Sequence, residues 1–193
     1  MVWLASAVVA YLAGAIPVGF LVARAFGIGD VRRHGSGNIG MTNVLRTAGK
    51  LPGVLTLVGD VVKGMLAVWL GASVTGDAVV GAAVAAVAAV VGNCWSVFLR
   101  FRGGRGVATG LGALLLLVGP WAIAPSVVVF VVVVVTTRFV SLGSLLGTIG
   151  VPIVALALGR SLASVIAAGA IAIIVVARHR ENIARLLKGT ETS

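Results

Sequence analysis

Long runs of hydrophobic residues make up most of this chain, and short polar segments separate them. The apolar stretches are Val2–Phe26, Leu51–Val74, Ala78–Leu99, Val107–Val118, Trp121–Val135, Phe139–Leu158 and Leu162–Ala177. About 20 apolar residues cross the hydrocarbon core of a bilayer as a helix, whereas an isolated strand in lipid leaves its backbone without hydrogen-bond partners. The pattern therefore predicts an all-α polytopic membrane protein, with residues 1–193 forming one domain.

Composition agrees with that class. Sixty per cent of the 193 residues are hydrophobic and 10% are charged, and the mean hydropathy is +1.16. No soluble domain of this size hides so much apolar surface. The single Cys excludes an internal disulfide and a cysteine-built metal site.

The basic residues decide between six and seven spans, because Val107–Val135 reads as one long helix or as two short ones. Seven spans collect on one side Arg24, Arg32, Arg33, Arg46, Lys50, Arg100, Arg102, Arg105, Arg138, Arg178, Arg180, Arg185 and Lys188. These are 13 of the 15 basic residues, with Arg160 on the other side and Lys63 inside a span. Six spans divide them nine against five.

The positive-inside rule therefore predicts about seven spans, with the N-terminus outside and the C-terminus in the cytoplasm. It also explains the net charge of +10 without nucleic acid, which such a charge would suggest in a soluble protein. Because the first apolar stretch lacks a basic segment before it, we expect a retained span and not a cleaved signal peptide.

The first polar segment, His34–Arg46, contains Gly35–Gly40, which fits the dinucleotide-binding pattern G-x-G-x-x-G. That pattern binds a dinucleotide only after a strand and within a βαβ unit. Here an apolar stretch precedes it, and Asp60, the acidic residue at the expected distance, falls in the next apolar stretch. A dinucleotide site is therefore excluded.

The same segment has the chemistry of an anion site. Its glycines let backbone N–H groups converge, Ser36 and Thr42 donate hydrogen bonds, and Arg46 offers a bidentate fork. The alternative is a tight turn at the membrane surface in which glycine and asparagine only satisfy the loop backbone.

Three segments carry a resemblance to a known family. Gly35–Arg46, Gly92–Thr109 and His179–Glu191 resemble, in this order, the three motifs of the acyl-phosphate-dependent glycerol-3-phosphate acyltransferases, the PlsY type. On the seven-span topology all three lie on the cytoplasmic side.

The resemblance implies transfer of a fatty acyl group from acyl phosphate to the 1-hydroxyl of glycerol 3-phosphate, giving lysophosphatidic acid and phosphate. It implies no cofactor and no metal, with the two substrates and membrane lipids as partners and no nucleic acid. The implied location is the inner (plasma) membrane of a bacterial-type cell, with a cytoplasmic active face. The oligomeric state is not predicted.

The family motifs also imply a set of site residues. The implied catalytic residues are Ser36, His179 and Asn182. The implied substrate-binding residues are Gly35, Gly37, Asn38, Thr42, Asn43, Arg46, Asn93, Gly103, Gly104, Arg105, Gly106, Thr109, Arg185 and Glu191. His179 is either a general base or a hydrogen-bonding anchor, because a substrate phosphate, with a second pKa of about 6, can itself accept a proton. Asp60 and Lys63, three apart on one helix, are expected to form an ion pair.

The second motif departs from the family pattern. Asn93 stands where the family commonly has His, Ser96 where it has Pro, and Arg102 and Arg105 where it has Lys, while Met41 replaces Ala in the first motif. Asn93 cannot titrate, so any proton-carrying role at this position is lost. The alternative function is therefore a diverged, non-catalytic or transport protein that binds phosphorylated lipid or solute.

Overall fold

The computed structural model describes residues 1–191, which fold into ten α-helices joined by short turns. The helices are α1 (Val2–Ala15), α2 (Val18–Ala25), α3 (Met41–Ala48), α4 (Lys50–Thr75), α5 (Val80–Cys94), α6 (Val107–Val118), α7 (Pro120–Thr137), α8 (Val140–Ala157), α9 (Leu162–Arg178) and α10 (Arg180–Leu187). Short 3₁₀ turns lie at Val31–Arg33 and Val97–Leu99.

Each predicted apolar stretch coincides with a helix or with two consecutive helical pieces, so the all-α membrane class is confirmed. The segments long and apolar enough to cross a membrane are Val2–Ala25, Lys50–Thr75, Val80–Leu99, Pro120–Thr137 and Val140–Ala157. α9 bends by 60° into α10, and this pair gives a sixth. α6 has only 12 residues, because Gly106 and the Gly119–Pro120 step bound it. By length, five or six helices within residues 1–191 thus meet the criterion, against the seven spans predicted.

The first apolar stretch is broken at Pro17, which the sequence analysis did not predict. Proline lacks the N–H group that would continue the helical ladder, so α1 ends and α2 starts after it. The Ile16 carbonyl at the break accepts hydrogen bonds from the Val18 N–H at 3.0 Å and from the Lys63 ammonium at 2.8 Å. Since an unpaired carbonyl is costly in lipid, Lys63 stabilises the break.

α1 and α5 pack closely through small residues. A side chain at Gly14 would collide with the backbone of Ala89, and one at Gly92 with the backbone of Tyr11. The Tyr11 hydroxyl also donates to the Trp95 carbonyl at 2.7 Å. Close backbone approach and interhelical hydrogen bonds are what hold helices together in lipid, where burial of apolar surface gives no driving force.

α7 and α8 form a helical hairpin beside this bundle. α7 contains the valine run 127–135, which forms a helix as predicted. It buries Ala122, Ile123 and Ser126, while Val128, Val132 and Val135 remain exposed. An exposed apolar face of this kind is expected where a helix meets lipid.

Candidate active site

The three polar segments meet at one cavity of about 370 Å³. Its polar end, here called the polar basin, is lined by Ser36, Asn38, Thr42, Asn43, Arg46, Asp60, Asn93, Gly104, Arg105, Gly106, Ser141, His179, Asn182, Arg185 and Glu191. Its other end, here called the apolar arm, runs between α6, α7, α8 and α9 and includes Leu111, Leu114, Ile123, Val127, Phe130, Val131, Val151 and Ile171. One cavity therefore offers charged groups at one end and a hydrocarbon surface at the other.

Asn43 holds the first polar segment in shape. Its Nδ2 donates to the carbonyls of Val31 and His34, both at 3.1 Å, and of Asn38 at 2.7 Å. Its Oδ1 accepts the Ser36 backbone N–H at 2.8 Å. The loop thus engages both polar atoms of this side chain, so Asn43 organises the wall of the basin; that it also binds substrate stays a prediction.

The N-terminus of α3 opens into the basin. Asn38 Oδ1 accepts the Gly40 N–H at 3.0 Å, which sets the chain direction just before α3 begins at Met41. The first N–H groups of a helix have no partner within the helix and favour an anion. Thr42 adds a hydroxyl, and Arg46, one turn later, lines the same basin.

The second polar segment brings a second helix N-terminus to the basin. The Gly104 N–H donates to the Asn93 carbonyl at 2.9 Å, which turns the loop against the end of α5. Gly106 has φ +86°, a conformation that favours glycine, and α6 begins directly after it. Arg105 lines the basin between the two glycines; burial lowers its pKa from the ordinary value, yet an arginine stays charged at neutral pH.

Arg178 fixes this second segment from the end of α9. Its Nε donates to the Gly104 carbonyl at 3.2 Å and its Nη2 to the Gly103 carbonyl at 3.4 Å. Its guanidinium also lies 5.3 Å from the centre of the Trp95 ring, a cation–π distance. Arg178 thus fixes the loop that leads to the N-terminus of α6.

His179 lies at the junction of α9 and α10 and is 2% exposed. Its Nδ1 is 2.8 Å from the Val175 carbonyl. Because a carbonyl only accepts hydrogen bonds, Nδ1 carries the proton and the neutral ring has its acceptor at Nε2. Burial lowers the pKa of His179 to about 4, so the ring is neutral at pH 7.

Glu191 joins α8 and α10 at the rim of the basin. It accepts hydrogen bonds from Ser141 Oγ on α8 at 2.7 Å, Asn182 Nδ2 on α10 at 2.6 Å and Arg185 Nε at 2.7 Å. Burial opposes its ionisation, but these three hydrogen bonds hold the pKa of Glu191 below its usual value. The carboxylate thus fixes α10 against α8.

Asp60 and Lys63 form the ion pair that their spacing predicted. The Lys63 ammonium lies 2.7 Å from Asp60 Oδ1, and both side chains are almost fully buried. The same ammonium donates to Asn93 Oδ1 at 2.8 Å. Asp60 and Asn93 both line the basin, so Lys63 supports two residues of its wall.

The cavity wall contains most, but not all, of the predicted site residues. Those that line it are Ser36, Asn38, Thr42, Asn43, Arg46, Asn93, Gly104, Arg105, Gly106, His179, Asn182, Arg185 and Glu191. Gly35, Gly37, Gly103 and Thr109 do not. Gly35 and Gly37 have positive φ and serve the turn, while a side chain at Gly103 would collide with the Asn93 carbonyl. Thr109 is 1% exposed within α6.

Two residues that shape the site were not predicted as site residues. The sequence predicted Arg178 only as a cytoplasmic charge and gave Ser141 no role. A hydroxyl near the basic end of an apolar stretch, three residues after Arg138, was the available signal for Ser141. Ser96, where the family has Pro, donates its hydroxyl to the Ala15 carbonyl at 2.6 Å and ties the end of α5 to α1.

Within residues 1–191, no three His, Cys, Asp or Glu side chains come together as metal ligands would. The polar basin therefore consists of hydroxyl, amide, imidazole, guanidinium and carboxylate groups together with the N-termini of α3 and α6.

Comparison with known proteins identifies a family. The family model described as glycerol-3-phosphate acyltransferase matches residues 4–189. A glycerol-3-phosphate acyltransferase of Syntrophotalea carbinolica is 47% identical over 184 residues, covering 94% of this chain and 92% of the relative. One of Geobacter sulfurreducens is 45% identical over 183 residues, covering 95% and 93%.

The fold also matches solved structures. The crystal structure of PlsY, an integral membrane glycerol 3-phosphate acyltransferase, in its glycerol 3-phosphate form has a TM-score of 0.91 at 35% identity, covering 98% of this chain and 94% of the other. Its lysophosphatidic acid form has a TM-score of 0.89 at 34% identity over the same shares.

Proposed function

Because this chain belongs to the glycerol-3-phosphate acyltransferase family, we propose that it moves a fatty acyl group from acyl phosphate to the 1-hydroxyl of glycerol 3-phosphate. The products are lysophosphatidic acid and inorganic phosphate, and the reaction begins phospholipid synthesis. The whole chain, residues 1–193, acts as one catalytic domain without cofactor or metal.

The joining of the polar basin and the apolar arm in one cavity carries this proposal. Glycerol 3-phosphate is small and anionic and fits the basin alone. Acyl phosphate has an anionic head on a hydrocarbon chain, which fits a basin continued by an arm between α6 and α9. The reacting acyl carbon then lies where the two parts meet.

The basin has several groups suited to phosphate. The N-termini of α3 and α6 each present free backbone N–H groups, and Arg46 and Arg105 supply two guanidinium forks for phosphate oxygens. The Ser36 hydroxyl, Asn38 and Thr42 add neutral donors around the first helix end. Both substrates carry a phosphate group, and two separate helix ends suit two such groups.

The reaction needs little more than orientation. The 1-hydroxyl oxygen bonds to the acyl carbon, the bond from that carbon to the phosphate oxygen breaks, and the phosphate leaves with the electron pair. The hydroxyl proton passes to a phosphate oxygen, whose second pKa of about 6 makes it a competent acceptor. His179, with a pKa of about 4, is the weaker base.

We therefore assign His179 and Asn182 to positioning the attacking hydroxyl. His179 Nε2 accepts a hydrogen bond from it, since Nδ1–H is held by Val175. Asn182 Oδ1 is buried without a hydrogen-bond partner among residues 1–191, so it is a second acceptor for a substrate hydroxyl. Holding the reacting groups together supplies the larger part of the acceleration.

We further propose seven spans, formed by the α1–α2 pair, α4, α5, α6, α7, α8 and α9. The N-terminus lies outside, and the polar basin faces the cytoplasm at the inner (plasma) membrane of a bacterial-type cell. The support is the distribution of charge: this topology collects 13 of the 15 Lys and Arg residues on the cytoplasmic side.

Parallel donor assays test the function. The protein in mild detergent is given glycerol 3-phosphate with palmitoyl phosphate, palmitoyl-CoA or palmitoyl carrier protein, and lysophosphatidic acid and phosphate are measured. We expect product from acyl phosphate alone. Product only from a thioester donor would overturn the choice of donor, and no product from folded protein would favour the non-catalytic or transport alternative.

A further inference from the structure

The buried Lys63 side chain extends from α4 to two residues that line the polar basin, Asp60 and Asn93. It is 6% exposed. Its ammonium lies 2.8 Å from the Ile16 carbonyl, 2.7 Å from Asp60 Oδ1 and 2.8 Å from Asn93 Oδ1. The Ile16 and Asn93 oxygens accept hydrogen bonds from Lys63, and Asp60 forms an ion pair with it.

This contact fixes which way the Asn93 amide faces. An ammonium only donates hydrogen bonds, so the atom of Asn93 that meets Lys63 is the oxygen and not the nitrogen. The Nδ2 group is therefore on the other branch of the amide. No acceptor among residues 1–191 binds it, and Asn93 lines the basin.

The neighbouring loop lies against the same amide. A side chain at Gly104 would place its first carbon 3.0 Å from Asn93 Nδ2, and the Gly104 N–H donates to the Asn93 carbonyl at 2.9 Å. The free N–H bonds of Asn93 therefore lie beside the loop that leads to the N-terminus of α6, which is one of the two helix ends suited to phosphate.

We propose that Lys63 is a positioning residue that turns the Asn93 amide so that Nδ2 donates to a phosphate oxygen of a bound substrate. The proposal rests on the proposed function and deepens it by assigning a donor and its support. It also makes position 93 a hydrogen-bond donor and not a proton carrier. A neutral histidine there would accept from Lys63 with one ring nitrogen and donate with the other, which explains how Asn works in its place.

A structural role predicts something different. If Lys63 only neutralises Asp60, the effect of changing Asn93 is independent of Lys63. A double-mutant cycle separates the two cases. Asn93→Ala is measured in the native background, in Asp60→Asn, and in Asp60→Asn with Lys63→Met, which removes both charges and so avoids an unpaired buried ion.

We expect Asn93→Ala to raise one KM about tenfold or more in the first two backgrounds, the size of one hydrogen bond to a charged group. In the third background we expect a change below about twofold, with kcat little affected throughout. Comparing the KM of glycerol 3-phosphate with that of palmitoyl phosphate shows which phosphate Asn93 binds. Equal effects of Asn93→Ala in all three backgrounds would overturn the proposal.

Two further measurements keep the test decisive. Thr56→Val, a buried change on α4 whose hydroxyl donates to the Pro52 carbonyl of the same helix, controls for disturbing that helix and should leave both KM values unchanged. If the charge-free background does not fold, Asn93→His and Asn93→Asp replace it. Aspartate has no N–H, so its KM should exceed that of the histidine variant at least tenfold, and equal values would refute the role.

Failure of the proposed function would be recognised separately. The native protein is assayed in parallel, so absence of product from palmitoyl phosphate there speaks against the proposed function and not against the role of Lys63 and Asn93. Binding of glycerol 3-phosphate, followed as a rise in the thermal unfolding temperature, tests whether Asn93 contributes to binding without requiring turnover. Binding equally strong in the native protein and in Asn93→Ala, together with unchanged KM values, would exclude it.

Discussion

The polar basin and the apolar arm are two ends of one cavity, but they are built differently. In the basin, side chains far apart in sequence hold each other: Lys63 binds Asn93, Arg178 binds Gly104, and Glu191 reaches Ser141. In the arm, aliphatic and aromatic side chains meet without directional bonds. Directional bonds fix positions, whereas dispersion contacts fill volume. The basin should therefore control where phosphate and hydroxyl groups lie, and the arm how long a chain fits.

The largest effect should follow from removing a charge from the basin. Arg46→Ala deletes a guanidinium, and a hydrogen bond to a charged group is worth about 1.5–3 kcal/mol. The KM for a phosphorylated substrate should rise about ten- to hundredfold, with the ratio of palmitoyl to decanoyl turnover unchanged. Steady-state kinetics with both donors measure this.

The control for that variant is Arg33→Ala, which removes an exposed cation outside the cavity wall. It should leave KM within about twofold of the native value, because exposed charges are screened by water and salt. If both variants raise KM equally, the basin acts through its general positive field and not through a placed guanidinium.

A smaller effect should come from the arm, where a substitution should change the preference for chain length and not the binding of phosphate. Val127 lines it, so Val127→Trp should shorten the space for the chain and lower the palmitoyl-to-decanoyl ratio of kcat/KM about tenfold. Each displaced methylene is worth about 0.8 kcal/mol. The KM of glycerol 3-phosphate should stay the same, as measured with the two donors.

The residue after Val127 provides the matched control. Val128 is 60% exposed on the outer face of α7, and Val128→Trp adds the same ring toward lipid. It should leave the chain-length ratio unchanged. A similar shift in both variants would mean that α7 as a whole, and not the arm, sets chain length.

The smallest effect concerns the neutral imidazole that faces the basin. The pKa of His179 is about 4 against an ordinary 6.5, so between these values the unfolded chain binds a proton that the folded chain does not. The contribution of the neutral His179 ring to the free energy of unfolding should therefore be fully present above about pH 6.5. It should be lost as the pH falls toward about 4. Between about pH 7 and pH 5, the native unfolding temperature should fall a few degrees more than that of His179→Gln. Equal slopes would contradict a depressed pKa.

The difference between the polar basin and the apolar arm also explains which features could be predicted from the sequence. The helices were recognisable because each apolar stretch is continuous, and Ser36, Arg46 and His179 because their motifs are local. The break at Pro17 was missed, since a proline within an apolar stretch is also compatible with a bent, continuous span. The residues of the arm could not be assigned, because every apolar helix offers several faces and only packing selects one.

The two basin residues that the sequence did not predict, Arg178 and Ser141, were missed for another reason. Arg178 acts on a loop 74 residues away, and Ser141 on a carboxylate 50 residues away. Contacts of that span depend on how helices pack, which no local pattern encodes. Asn43 shows what a motif does not reveal: its place in a motif predicts substrate binding, which stays a prediction, whereas its hydrogen bonds to the loop appear only in the structure.

The bonds at Glu191 have a consequence for how the protein is made. This carboxylate is synthesised after every helix that it connects, so a nascent chain can insert α1 to α9 while the rim of its basin is still open. Chains grow residue by residue and their earlier parts fold first. A chain interrupted before Glu191 would therefore reach the membrane with its helices in place but without the hydrogen bonds of Glu191 to Ser141 and Asn182, which join α8 to α10. The hydrogen bonds of Glu191 thus close the rim of the basin only after the helices that they connect have been made.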